Sequence, residues 1–155
     1  MKEFKILVLN GPNLNMLGIR EPAYYGNETL DSIKKECCSV ADNLGIDLEF
    51  KQSNHEGDLV TWIQDAYGKF DGIVINPAAY THTSVAILDA LLAVSLPIVE
   101  VHLSNIHKRD EFRHSSYVSK VADCVICGAG GYGYELALNA VCNVIRKRRN
   151  YGKSK

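Results

Sequence analysis

Two positions apart in the run Pro97-Ile98-Val99-Glu100-Val101-His102 stand a carboxylate and an imidazole. On a β-strand, residues two apart project to one face, so Glu100 and His102 meet there and Val101 turns to the other side. A carboxylate beside an imidazole fixes its orientation and raises its proton affinity, giving a proton donor suited to near-neutral pH. The same spacing also fits a satisfied polar pair at a strand mouth. Other apolar runs end in polar residues too: Asn10 and Asn13 follow one, and Asn76, Tyr80, Thr81, His82, Thr83 and Ser84 follow another. Ser104 and Asn105 come just after His102. Some have plainer readings. Thr81, Thr83 or Ser84 is expected to cap a helix, and Asn76-Pro77 suits an ordinary strand-ending turn.

Cations and a phenol extend the set. Arg20 and Tyr25 share one stretch, and Arg109 and Arg113 lie in Asn105-Ile106-His107-Lys108-Arg109-Asp110-Glu111-Phe112-Arg113-His114. Guanidinium groups grip carboxylates through paired hydrogen bonds, so an anionic, oxygen-rich ligand is expected. Lys108 and Asp110 read as exposed loop charges. A tyrosine has a pKa near 10, and a neighbouring cation favours its phenolate. Tyr25 beside Arg20 is therefore a candidate base, although a lone loop tyrosine more often packs than reacts.

These residues need a frame. Short β-branched runs alternate with segments of helical period, the pattern of a parallel sheet covered by helices. Strands are predicted at Lys5 to Leu9, Asp47 to Gln52, Gly72 to Ile75, Pro97 to Val101 and Asp123 to Cys127. Helices are predicted at Leu30 to Leu44, ending at Gly45; Glu56 to Lys69; Thr83 to Ser95, carrying Val85, Leu88, Leu92 and Val94; and Tyr134 to Arg149, carrying Leu136, Ala140, Val144 and Lys147. The fold expected is a single-domain, flavodoxin-like, doubly wound five-stranded parallel sheet with helices on both faces, over residues 1–155. In such sheets ligands sit beyond the carboxyl ends of the strands, where the polar residues above gather. From Asn10 to Asn27 no period holds; that long connection, bracketed by Gly18 and Gly26, is expected to be a hinged flap.

The composition narrows the function classes. Forty-six per cent hydrophobic and 23% charged residues in 155 positions are ordinary for a globular domain. Seventeen Lys and Arg against 18 Asp and Glu argue against a protein built to coat nucleic acid or an anionic membrane. No apolar run approaches a membrane span, and the early strand predicts no export signal. Five cysteines, an odd number with Cys37 and Cys38 adjacent, suit a reducing cytosol. Cys124 and Cys127 should face opposite sides of a strand as buried structural thiols. The run from Gly128 to Gly133 is expected to make a tight turn before the last helix. The histidines lack the spacing of a zinc motif, so no metal is expected. The basic residues Arg146, Lys147, Arg148, Arg149, Lys153 and Lys155 (the 146–155 end) should complement a helix terminus and trail into solvent.

Three separated motifs resemble those of type II dehydroquinases. They are Asn10-Gly11-Pro12-Asn13-Leu14-Asn15-Met16-Leu17-Gly18-Ile19-Arg20-Glu21-Pro22 ending in Tyr25-Gly26; Ile75-Asn76-Pro77-Ala78-Ala79-Tyr80-Thr81-His82-Thr83-Ser84; and Glu100-Val101-His102-Leu103-Ser104-Asn105, followed by Arg109, Phe112, Arg113 and His114. They occur in order and span the chain. The resemblance implies a lyase that removes water from 3-dehydroquinate to give 3-dehydroshikimate through an enolate, in the shikimate pathway of aromatic amino acid biosynthesis, without cofactor or metal.

It also implies roles for individual residues. Tyr25 matches the base, and Arg20 the flap arginine that lowers its pKa. Asn13 matches a group holding a water at the enolate oxygen, and Asn76 one near the substrate hydroxyls. His102, oriented by Glu100, matches the acid. Leu103 and Ser104 match the carboxylate-binding backbone and hydroxyl, His82 and Arg113 match substrate-binding positions, and Arg109 lies near the flap. Asp89 matches a position reaching a site across a subunit contact. Lys108, Asp110 and Ser115 depart from the commonest residues there, none at a chemical position. A cytoplasmic homododecamer, a tetramer of trimers, is implied as well. Two rivals are weaker. A phosphoreceiver would want acidic residues where Asn10, Gly11, Pro12 and Asn13 stand, and a flavin carrier would want a phosphate loop there. A metal-assisted hydrolase using His82, His102 and Glu100 would lose activity with a chelator.

Overall fold

The computed structural model describes residues 1–19 and 27–153. Residues 20–26 of the connection expected to be a flap, Arg20 and Tyr25 among them, and Lys155 lie outside the described residues; the earlier part of that connection holds a 3-10 turn at Leu14–Met16. Five parallel strands, β1 (Lys5–Asn10), β2 (Asp47–Gln52), β3 (Gly72–Asn76), β4 (Ile98–His102) and β5 (Cys124–Cys127), form one sheet in the order β2-β1-β3-β4-β5. Lys5 pairs with Asp47, Leu7 with Ile73, Val74 with Val99 and Val99 with Cys124. Four helices cover it: α1 (Leu30–Leu44), α2 (Glu56–Asp65), α3 (Val85–Val94) and α4 (Tyr132–Lys153). This is the flavodoxin-like order, and it leaves a crevice at the carboxyl ends of β1 and β3, where the winding reverses.

Alternation along the strands feeds two cores. Ile6, Val8, Val74, Val99 and Val101 pack under α1 and α4. Leu7, Leu9, Ile73, Ile75 and Ile98 pack under α2 and α3 on the other face. Local chemistry sets the helix ends. Thr29 opens α1 by a reciprocal pair of hydrogen bonds with Ser32, and Gly45 closes it at φ +68°, a left-handed position that favours glycine. Ser84, not Thr81, caps α3, accepting from the Ile87 amide at 2.9 Å. No helix among the described residues is long and apolar enough to cross a membrane.

The strand boundaries fall within a residue of expectation; the helices depart in three ways. α2 stops at Asp65 rather than Lys69, because the chain turns through Gly68 at φ +73°. The inward row of α3 is Ile87, Ala90, Leu91 and Val94, while Val85 and Leu92 are exposed. In a helix that is apolar everywhere except Asp89, periodicity does not choose the buried face. α4 starts at Tyr132 and buries Tyr134, Ala137, Leu138, Val141, Cys142 and Ile145; of the expected row, Leu136 and Lys147 are exposed, Val144 is half-buried and Ala140 packs, half-buried, against the core.

Nor do the basic residues of α4 simply trail into solvent. Arg146, Arg148 and Arg149 pair with Glu3, Asp123 and Asp71 at 2.9, 2.9 and 2.7 Å. Each of these acids lies just ahead of a strand, so the arginines bind α4 to the amino ends of the sheet. Cys124 and Cys127 are free thiols, half-buried rather than buried. The glycine run does turn the chain, with Gly128 and Gly130 at φ +92° and +59° before α4.

Candidate active site

The carboxyl ends of β3 and β4 open into a cleft lined by Pro12, Leu14, Asn76, Ala78, Ala79, His82, His102, Leu103, Ser104, Ile106, Arg109 and Arg113. Seven of these lining residues were singled out in the sequence as site residues. Asn13 stands at the rim, exposed between Pro12 and Leu14, with φ +68° and its amide donating to Asn54 Oδ1 at 2.9 Å. Asp89 lies on the exposed side of α3, outside the cleft lining. Close approach makes the rim possible. A side chain on Gly11 would collide with the Pro77 carbonyl, so a residue without Cβ lets the β1 and β3 loops touch.

Glu100 and His102 share a face of β4, as the spacing demanded. Glu100 is fully buried, and His102 Nε2 donates to its Oε2 at 3.0 Å. That contact engages one ring nitrogen and leaves Nδ1 for a substrate. Ser116 Oγ donates to Glu100 Oε1 at 2.8 Å, and Ser119 Oγ bridges both oxygens at 3.0 and 2.8 Å. Thr81 Oγ1 in turn meets Ser116 Oγ at 2.5 Å. Burial alone would raise the Glu100 pKa, but the bonds from His102, Ser116 and Ser119 outweigh it and hold the carboxyl below its ordinary value. The result is an ionised carboxylate, fully hydrogen-bonded, behind a histidine only 5% exposed.

His82 approaches from the turn after β3. Its Nδ1 lies 2.8 Å from the Ser115 carbonyl, which can only accept, so Nδ1 carries the proton and Nε2 is an acceptor in the neutral ring. Burial is the main cause holding the His82 pKa below its usual value; the Ser115 carbonyl opposes it and the nearby His102 and Arg113 add to it. Arg113 stacks over the Phe112 ring at 4.9 Å, and its Nε is buried without a hydrogen-bond partner among the described residues. The Asp110 carboxylate lies 3.8 Å from that Nε. The cleft thus joins an acid-base imidazole to neutral and cationic donors, a set suited to an oxyanion-bearing substrate and to proton transfer at carbon or oxygen.

Sequence reading missed Ser116, Ser119, Asn54 and Tyr134. The serines are bonded to a strand 16 and 19 positions earlier, and no spacing motif joins a loop serine to a distant carboxylate. Tyr134 looks like an ordinary helix aromatic until its hydroxyl is found beneath the cleft.

Comparison with known proteins agrees with the geometry. The family model described as dehydroquinase class II matches residues 4–142. Over 143 residues the chain is 58% identical to 3-dehydroquinate dehydratase 2 of Pseudomonas putida, covering 92% of this chain and 96% of that one. It is 62% identical over 133 residues to 3-dehydroquinate dehydratase 2 of Pseudomonas aeruginosa, covering 86% and 90%. The crystal structure of a type II dehydroquinase from Butyrivibrio crossotus superposes with a TM-score of 0.87 at 49% identity, covering 88% of this chain and 96% of that one. Matched along almost its whole length by sequence and by fold, the chain belongs to the class II dehydroquinase family.

Proposed function

We propose that this chain eliminates water from 3-dehydroquinate to give 3-dehydroshikimate, a step of the shikimate pathway, with His102 as the acid. The observation that carries the reading is the His102–Glu100 pair, buried at the cleft, with Nδ1 left for the substrate. Tyr25 is the base. As phenolate, favoured by Arg20, it takes a proton from the carbon next to the ketone, and the electron pair moves onto the ketone oxygen as an enolate. A water held by Asn13 stabilises that oxygen. The enolate collapses, the bond to the leaving hydroxyl breaks, and His102 delivers a proton so that it departs as water. Tyr25 then holds one proton more and His102 one fewer, and exchange with solvent resets both.

Binding falls to the rest of the cleft. Asn76 and His82 meet substrate hydroxyls, while Leu103, Ser104 and Arg113 take the carboxylate and Arg109 supports the flap. The exposed Asp89 serves the site of a neighbouring subunit in a homododecamer of four trimers. The enzyme acts in the cytoplasm, on a small molecule and with no metal or cofactor.

Near-ultraviolet absorbance on mixing the chelator-treated protein with 3-dehydroquinate tests the reaction, because elimination creates a conjugated enone acid. A rise catalytic in protein is expected. A flat trace from folded protein overturns the reading, and activity restored only by added metal moves the chemistry to a metal-assisted one.

A further inference from the structure

Four hydrogen bonds run in one direction through the core below the cleft. Asn10 Nδ2 donates to the Lys51 carbonyl at 3.0 Å, and Tyr134 Oη donates to Asn10 Oδ1 at 2.6 Å. Asn76 Nδ2 donates to Tyr134 Oη at 2.9 Å, and the Ala78 amide donates to Asn76 Oδ1 at 3.1 Å. The three side chains are buried, with Asn10 0%, Tyr134 1% and Asn76 2% exposed. The direction is forced from both ends. A carbonyl at Lys51 can only accept, which commits the Asn10 amide nitrogen and leaves Asn10 Oδ1 to accept from the phenol. An amide N–H at Ala78 can only donate, which commits Asn76 Oδ1. The phenol therefore has one way to point, and the Asn76 amide one way to lie.

Asn76 has two N–H bonds, and the chain of contacts uses one. Reversing its amide would set two nitrogens, Asn76 Nδ2 and the Ala78 amide, donor against donor. We infer that Tyr134 is a positioning residue for the reaction: its hydroxyl locks the Asn76 amide so that the cleft receives an N–H donor, ready for a substrate oxygen. Tyr134 itself does not line the cleft; its hydroxyl is bonded beneath it to Asn76 and Asn10. Burial raises its pKa well above the usual tyrosine value, so the phenol stays protonated and the order of the bonds holds at working pH. Asn10 belongs to the same device, because its oxygen is the acceptor that fixes which way the hydroxyl points and so leaves the phenol's lone pairs toward Asn76 Nδ2.

The inference rests on the proposed role of Asn76 in holding the substrate. Its test is a double-mutant cycle of Tyr134→Phe and Asn76→Ala, with steady-state kinetics on 3-dehydroquinate and thermal unfolding of each variant. Tyr134→Phe alone is expected to lower kcat/KM about tenfold. In the Asn76→Ala background the same change should alter kcat/KM by less than about twofold, while the melting temperature falls in both backgrounds. An equal fold-loss in both backgrounds, or no loss in the single variant, overturns the inference, since a merely structural hydroxyl would act independently of Asn76. Should Tyr134→Phe fail to fold, Asn10→Ala must show the same coupling to Asn76, and additivity there overturns it equally. A wild-type protein inactive on 3-dehydroquinate would refute the functional reading itself and this inference with it; an active wild type with an additive cycle refutes the inference alone.

Discussion

The two ends of the sheet are held by different physics. At the amino ends, Arg146, Arg148 and Arg149 of α4 pair with Glu3, Asp123 and Asp71 on the surface. The two aspartates also accept strand amides, Lys5 N at 2.7 Å and Ile98 N at 2.9 Å. At the carboxyl ends, buried groups are bonded in sets: Glu100 with the buried His102 and with the hydroxyls of half-buried Ser116 and exposed Ser119, and Tyr134 with Asn10 and Asn76. Exposed pairs share their energy with water and salt, so losing one matters little. A buried set loses the whole desolvation cost of whichever group is left alone. The proposed chemistry falls at the end where orientation is enforced, and the other end is free to be merely stable.

Substitution at each end should break the symmetry of these two edges visibly. His102→Ala is expected to give the largest effect, a loss of kcat of about 10²–10⁴-fold, with the folded state kept; steady-state rates beside a melting curve would show it. A loss under about tenfold would move the acid elsewhere.

Glu100→Ala comes next, removing a buried acceptor that three groups share. Urea unfolding at pH 7 should show a loss of about 3 kcal/mol. Its pH dependence has a definite sign. The folded pKa of Glu100 lies below its ordinary 4.5, so its contribution is present above that range and fades as pH falls through the folded value. The stability gap between wild type and Glu100→Gln should therefore narrow on going from pH 7 toward pH 3. A gap independent of pH would mean that the carboxylate is not held ionised.

The amino-end pairs should respond least. Arg148→Ala or Arg149→Ala is expected to cost about 1 kcal/mol or less, leave kcat/KM unchanged, and lose that cost in 1 M salt, where the Debye length is about 3 Å. Salt should not touch the Glu100 effect. If the arginine variants impaired turnover, the division between the two ends would fail.

This contrast also explains what was legible in the sequence. Short β-branched runs located the strands, and the two-residue repeat of a strand placed Glu100 and His102 on one face, because a strand fixes side-chain direction within two residues. Polar residues at successive strand ends then collected into one cleft by the geometry of a parallel sheet alone. Helix faces were harder. In α3, apolar residues surround the axis, and only packing against Leu59 and Ile63 of α2 and against the sheet selects Ile87 and Leu91 over Leu92. Long-range partners were invisible. Ser119 is 19 positions from Glu100, Tyr134 is 58 from Asn76, and Arg146 is 143 from Glu3; no local pattern encodes such pairings.

One helix serves both ends. α4 carries Tyr134 near its start and the three arginines toward its finish, so a single docking event completes the upper polar set and the lower ion pairs together. Contacts spanning 124 and 143 positions close large loops, and such closures are slow relative to local structure. A sheet on which α4 has not docked lacks both the Tyr134–Asn76 bond beneath the cleft and the arginine pairs at its amino ends.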